Sequence, residues 1–187
     1  MVFPSFLEQE LKLIRKKLRD SGRQIRFRAE VAKPANLREL LNSGCRMLHY
    51  TGHGNNEFLA FESKQDMLCG IMEPLHVEPL KNLLQAGGVR TELAFISSCS
   101  SEFIGEAFVE AGVPHVVAFK REQNVSVRTA QQFANQFYDA LMSDGRYTVR
   151  QAYDIAVKTV NADNPNAPPQ GDHMLLLPPG LRVKVKE

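Results

Sequence analysis

"LHYTGHG" (residues 48–54) is a strand-like run that stops at glycine and histidine; "LAFISSCSS" (residues 93–101) is an apolar run that stops at a cysteine among serines. The stretch from Leu93 to Ile96 is wholly apolar, the pattern of a central parallel strand covered by helices on both faces. Each run then delivers one base-type or nucleophile-type side chain: His53 after Thr51-Gly52, and Cys99 after Ser97-Ser98. In an open parallel α/β sheet, ligands bind beyond the carboxyl ends of the strands. If these two strands are neighbours, both side chains emerge on one rim and a thiol–imidazole pair forms. That pairing has a chemical purpose. A free thiol, with a pKa of about 8.5, is only a few per cent thiolate at neutral pH, and an adjacent imidazole takes its proton during attack. Gly52 and Gly54 leave room beside His53 for a substrate backbone. The Gly54 N–H, together with that of Cys99, is a candidate donor pair for an oxyanion.

Outward from these strands, the chain alternates helix and strand. "PSFLEQELKLIRKKLRDSG" (residues 4–22) spaces Phe6, Leu7, Leu11, Ile14 and Leu18 for a helix closed by Gly22. "RQIRFRAEVA" (residues 23–32) sets Ile25, Phe27, Ala29 and Val31 against Arg26, Arg28 and Glu30, the alternation of a half-buried strand. "KPANLRELLNSG" reads as a short helix with Pro34 near its start, and "EFLAFESKQD" as a small hairpin. A helix within "PLHVEPLKNLLQAGG" precedes the cysteine-bearing strand; "SEFIGEAFVEAG" (helix) and "PHVVAFK" (strand) follow it. Two more helices, a turn-rich loop at residues 161–172 and a last short strand in "HMLLLPP" complete the chain. The expected fold class is α/β: a three-layer α/β/α sandwich with a mostly parallel central sheet. At 187 residues the chain is expected to form a single domain, residues 1–187.

Composition narrows the function classes. Apolar residues make up 43% and charged residues 24%, which argues against disorder. The net charge of +2 is interspersed, and its one basic concentration, residues 12–28, reads as a solvated helix face and an edge strand rather than a nucleic-acid footprint. No apolar stretch approaches the ~18 residues that a membrane span needs. "MVFPSFLEQEL" lacks the pattern of a secretory signal. Cys45, Cys69 and Cys99 are odd in number, without CxxC spacing, which suits a reducing, cytoplasmic setting. No nucleotide-binding loop, GxSxG elbow or HExxH motif is present.

Two plainer readings stand beside the dyad. A cysteine at a strand end is usually a small hydrophobe, and a loop histidine is usually a surface residue. Cys45, His49 and His53 are spaced to line up on a helix and hold zinc, but their surroundings speak for a strand and then a loop, where they diverge. No metal or cofactor is expected.

"LHYTGHG" followed by "LAFISSCSSEFIGEAFVEAGVPHVVAFK" resembles the CHAT domain, a caspase-like, separase-related module often found beside TPR repeats. "FLAFES", "AQQFANQFYDAL", "TVRQAYDIA" and "HMLLLPP" extend the resemblance over about residues 5–180. It implies a caspase-like sandwich and a cysteine endopeptidase acting on protein substrates, with His53 as catalytic histidine, Cys99 as nucleophile and Gly54 at the oxyanion site. His49 does not match the catalytic position and is read as structural. The resemblance also implies a strand before the first helix, for which Met1-Val2-Phe3 leaves no room. The chain is therefore expected to be a piece of a longer protein, to close its sheet differently, or to be compromised. In the substrate pocket the resemblance points to Ser97 and to the region of Val127-Arg128, where no carboxylate stands to hold a basic side chain. Its implied partners are a protein substrate and an activating sensor or TPR-type domain, with neither nucleic acid nor membrane. The alternative is a catalytically silent CHAT-like domain that serves as an interaction or regulatory module.

Overall fold

The computed structural model describes residues 5–62, 72–86, 88–121, 125–163 and 168–179. The described chain forms two compact units, one built on residues 5–29 and 125–174, the other on residues 30–121 and 175–179.

The second unit carries the sheet. Its strands β1 (Met47–Thr51), β4 (Leu93–Ser97), β5 (His115–Phe119) and β6 (Met174–Leu177) lie in the order β1-β4-β5-β6, and β1/β4 and β4/β5 pair in parallel. Burial follows that order. Every residue of β4 and β5 is buried, whereas the outer strands alternate. Central strands covered on both faces need continuous apolar runs, and outer ones do not.

Period-two alternation then sorts one face of the sheet: Leu48 and Tyr50, Ala94 and Ile96, and Val116 all enter one apolar core. Helices α2 (Pro34–Asn42), α3 (Val77–Gln85) and α4 (Glu102–Glu110) supply its other side through Leu37, Leu80, Leu84, Ile104 and Phe108. A two-stranded antiparallel sheet, β2 (Phe58–Glu62) with β3 (Met72–His76), adds Leu59, Phe61 and Leu75. Gly105 lets α4 approach closely, since a Cβ there would meet Leu177 Cδ1 at 2.9 Å and Ala118 Cβ at 3.0 Å.

The first unit is helical. α1 (Ser5–Asp20), α5 (Val127–Met142), α6 (Val149–Asp163) and a 3-10 turn at Gln170–His173 pack around Phe133, Phe137, Tyr138 and Tyr153. Ser126 caps α5 by accepting the Thr129 N–H at 3.0 Å, which satisfies one of the helix's orphan donors. The basic run of residues 12–28 is largely partnered. Lys12 pairs with Glu8, Lys16 with Asp20 and Lys17 with Asp139, while Arg15 lies 5.2 Å from the Phe27 ring centroid. Asp20, beside Lys16, has its carboxyl held below the ordinary range.

One expectation is corrected by the structure. Residues 23–32 form no strand. Alternation marks a face, but a strand also needs a ladder partner; the backbone bonds here, Ile25 N to Arg23 O at 3.0 Å, Lys33 N to Val31 O at 2.7 Å and Glu62 N to Ala32 O at 2.7 Å, do not add up to a ladder. Ile25 accordingly stays 39% exposed. The small hairpin expected in residues 57–66 runs into residues 63–71, which lie outside the described residues; β2 pairs with β3, which contains Pro74. Ala60, opposite Pro74, turns its N–H to the His53 carbonyl at 2.9 Å, so no ladder donor is required of the proline. The first strand that the resemblance implies would fall on residues 1–4, which lie outside the described residues.

Candidate active site

The register of β1 and β4 sets Thr51 opposite Ser97, and the Gly52 N–H extends the pairing to Ser97 O at 3.2 Å. His53 and Cys99 therefore each follow their strand by two residues at the same carboxyl edge, and both side chains are exposed. The turns that carry them meet. A Cβ at Gly54 would lie 2.5 Å from Ser98 Oγ and 2.9 Å from the Phe58 carbonyl, so only glycine fits as the chain stands.

Three of the four serines around Cys99 do different work. Ser101 is wholly buried, donates to Ile96 O at 3.1 Å and accepts the Phe119 N–H at 3.0 Å, which ties the end of β4 to β5. Ser100 adopts a positive φ of 48°, a strained conformation for a residue with a Cβ, and this turns the chain sharply from Cys99 into α4. Ser98 is 3% exposed, and its hydroxyl finds no hydrogen-bond partner among the described residues.

Ser97 ends β4 and is buried; Arg128 is exposed in the first turn of α5, in the helical unit. His49 is half-buried on β1 with its ring stacked on Phe95 at 4.8 Å, a packing role. Cys45 precedes β1 and donates to Met47 O at 3.1 Å. Among the described residues no group of three or more His, Cys, Asp or Glu could hold a metal ion. Nor is any helix there long and apolar enough to cross a membrane. A cavity lined by Leu41, Leu84, Ala86, Val89, Arg90 and Thr91 lies before β4 begins, at the opposite end of that strand from Cys99.

Tyr50 was not legible as part of this site. Its hydroxyl lies 2.8 Å from the His53 carbonyl and 2.7 Å from that of Ala60. The available signal was a tyrosine on the same strand face as Leu48, because a buried phenol usually finds a polar partner. Burial pushes its ionisation well above the usual tyrosine range, so it is a protonated donor.

Burial also pushes the Cys45 thiol up. Thiolate is the reactive form. Alkylation read peptide by peptide is expected to modify exposed Cys99 at least about tenfold faster than half-buried Cys45. Equal rates would contradict the exposures.

Residues 4–169 match the family model for the CHAT domain. The chain belongs to the CHAT domain family. Among solved structures, this CHAT domain is similar to the crystal structure of the Arg-specific cysteine proteinase gingipain R, with a TM-score of 0.57 and 14% identity. The match covers 90% of this chain and 40% of the proteinase chain, and it shows a shared caspase-like fold. No curated protein matches the sequence.

Proposed function

We propose that this CHAT domain is a cysteine endopeptidase in which His53 and Cys99 form the dyad. The observation that carries the reading is the parallel register of β1 and β4, with both side chains exposed two residues past paired strand ends. His53 takes the thiol proton as the Cys99 sulfur attacks a peptide carbonyl. The backbone N–H groups of Gly54 and Cys99 stabilise the resulting oxyanion, which collapses to an acyl-enzyme as protonated His53 gives its proton to the departing amine. Water then cleaves the thioester and regenerates the thiol. The pocket candidates Ser97 and Arg128 supply no carboxylate, so the proposal carries no preference for a basic residue before the cleaved bond. A protein substrate and an activating partner domain complete the reading.

The test is labelling of Cys99 by a thiol-directed acyl electrophile across pH 5 to 9, in wild type and His53→Ala. Expected is labelling at pH 6.5 at least about tenfold faster in wild type than in His53→Ala, whose profile follows that of a free thiol. Labelling that is slow and indifferent to His53 would instead favour a silent interaction module.

A further inference from the structure

Resting on the dyad reading, we propose that Tyr50 is a positioning residue, whose hydroxyl fixes the main chain of His53 and thereby holds the imidazole toward Cys99. The His53 side chain is exposed, and among the described residues no hydrogen bond orients its ring. What holds His53 is its backbone. Its carbonyl receives the Ala60 N–H at 2.9 Å and the Tyr50 hydroxyl at 2.8 Å. The same hydroxyl reaches the Ala60 carbonyl at 2.7 Å, so one proton serves two acceptors that flank the turn.

The phenol is itself rigidly placed. Tyr50 is 8% exposed, and its ring stacks on Phe61 at 5.8 Å within the core under the sheet. The turn is shaped around it, because a Cβ at Gly52 would lie 2.7 Å from the hydroxyl oxygen and 3.0 Å from Cζ. Tyr50 thus couples the packed interior to a residue on the open rim. A fixed base matters, because a misplacement of about 1 Å can cost about 100-fold in rate. A purely structural role, satisfying the buried Ala60 carbonyl, would affect stability and leave the thiol chemistry untouched.

The test compares the full chain with Tyr50→Phe, which removes only the oxygen. Hydrogen exchange over residues 52–60, the pH profile of Cys99 labelling and the unfolding midpoint are read together. Exchange in that segment is expected to rise about tenfold. Labelling at pH 6.5 is expected to fall about tenfold, with Tyr50→Phe/His53→Ala no slower than His53→Ala alone. A 4-aminophenylalanine at position 50, with two N–H donors for the two carbonyls, restores both readouts. Leu84→Ala, in the core on α3, lowers the midpoint without changing the labelling profile.

Wild-type exchange in Tyr50→Phe, or wild-type labelling despite faster exchange, would overturn the proposal. Should Tyr50→Phe not fold, faster exchange or slower labelling in the aminophenylalanine protein overturns it equally. If His53→Ala labels like wild type, the dyad reading falls and takes the proposal with it. That pattern differs from a failure of Tyr50 alone, in which His53→Ala slows labelling and Tyr50→Phe does not.

Discussion

Cys99→Ala is expected to reduce peptide cleavage by at least about 1,000-fold while leaving the unfolding free energy within about 0.5 kcal/mol of wild type. The two halves of this result have separate causes. Covalent catalysis needs a nucleophile that can carry the acyl group, and alanine has none. Stability depends on buried packing, and Cys99 is exposed on a turn. The neighbouring hydroxyls are poor substitutes. Ser98 is buried with its oxygen against Gly54, and Ser100 is held at positive φ where the chain turns into α4. Mass spectrometry of an unfolded protein substrate, sampled over time with wild type and variant, reads the outcome directly. Cleavage that persists in Cys99→Ala would place the nucleophile elsewhere and sink the dyad.

What could be read in advance depended on whether the signal was local. Leu93 to Ile96 declared a covered central strand because burial on both faces demands an unbroken apolar run, and β4 is buried throughout. The helix over residues 127–142 was equally open, with Phe133, Phe137 and Leu141 at helical spacing and all buried. Residues 23–32 carried the alternation of a strand, but pairing is a property of two segments, and no sequence pattern in one of them supplies the other. β3 failed in the opposite sense. Residues 72–76 show no apolar alternation and proline is rare inside a strand, yet Pro74 sits where its missing N–H is not needed. In the proposed site, His53, Gly54 and Cys99 were singled out because each stands just past a strand-like run. Tyr50 was not, because its function depends on the distance from its hydroxyl to two carbonyls that lie three and ten residues away.

Gly54→Ala is expected to lower stability by about 1–3 kcal/mol and to slow Cys99 labelling at pH 6.5 by up to about 100-fold. The added methyl would sit 2.5 Å from Ser98 Oγ, 2.9 Å from the Phe58 carbonyl and 3.2 Å from Leu59 Cδ2. Something must yield. The serine hydroxyl can rotate only within a site that leaves it 3% exposed. The Phe58 carbonyl belongs to β2, where Phe58 pairs with His76. The piece free to move is the turn itself, and that turn carries His53. Ser98→Gly in the Gly54→Ala background separates these contacts, since it removes the clash with the hydroxyl and leaves those with Phe58 and Leu59 of β2. Partial recovery of labelling is expected. Full recovery would assign the whole effect to Ser98, and no recovery would assign it to β2, through the Phe58 carbonyl and the Leu59 side chain. If Gly54→Ala melts and labels as wild type, the two turns do not meet as closely as the 2.5 Å approach requires. The stakes differ from those at Cys99, because this glycine contributes no reacting atom to the thiol chemistry. It sets how near the histidine turn can come to the cysteine turn, and a pair that exchanges a proton depends on that distance.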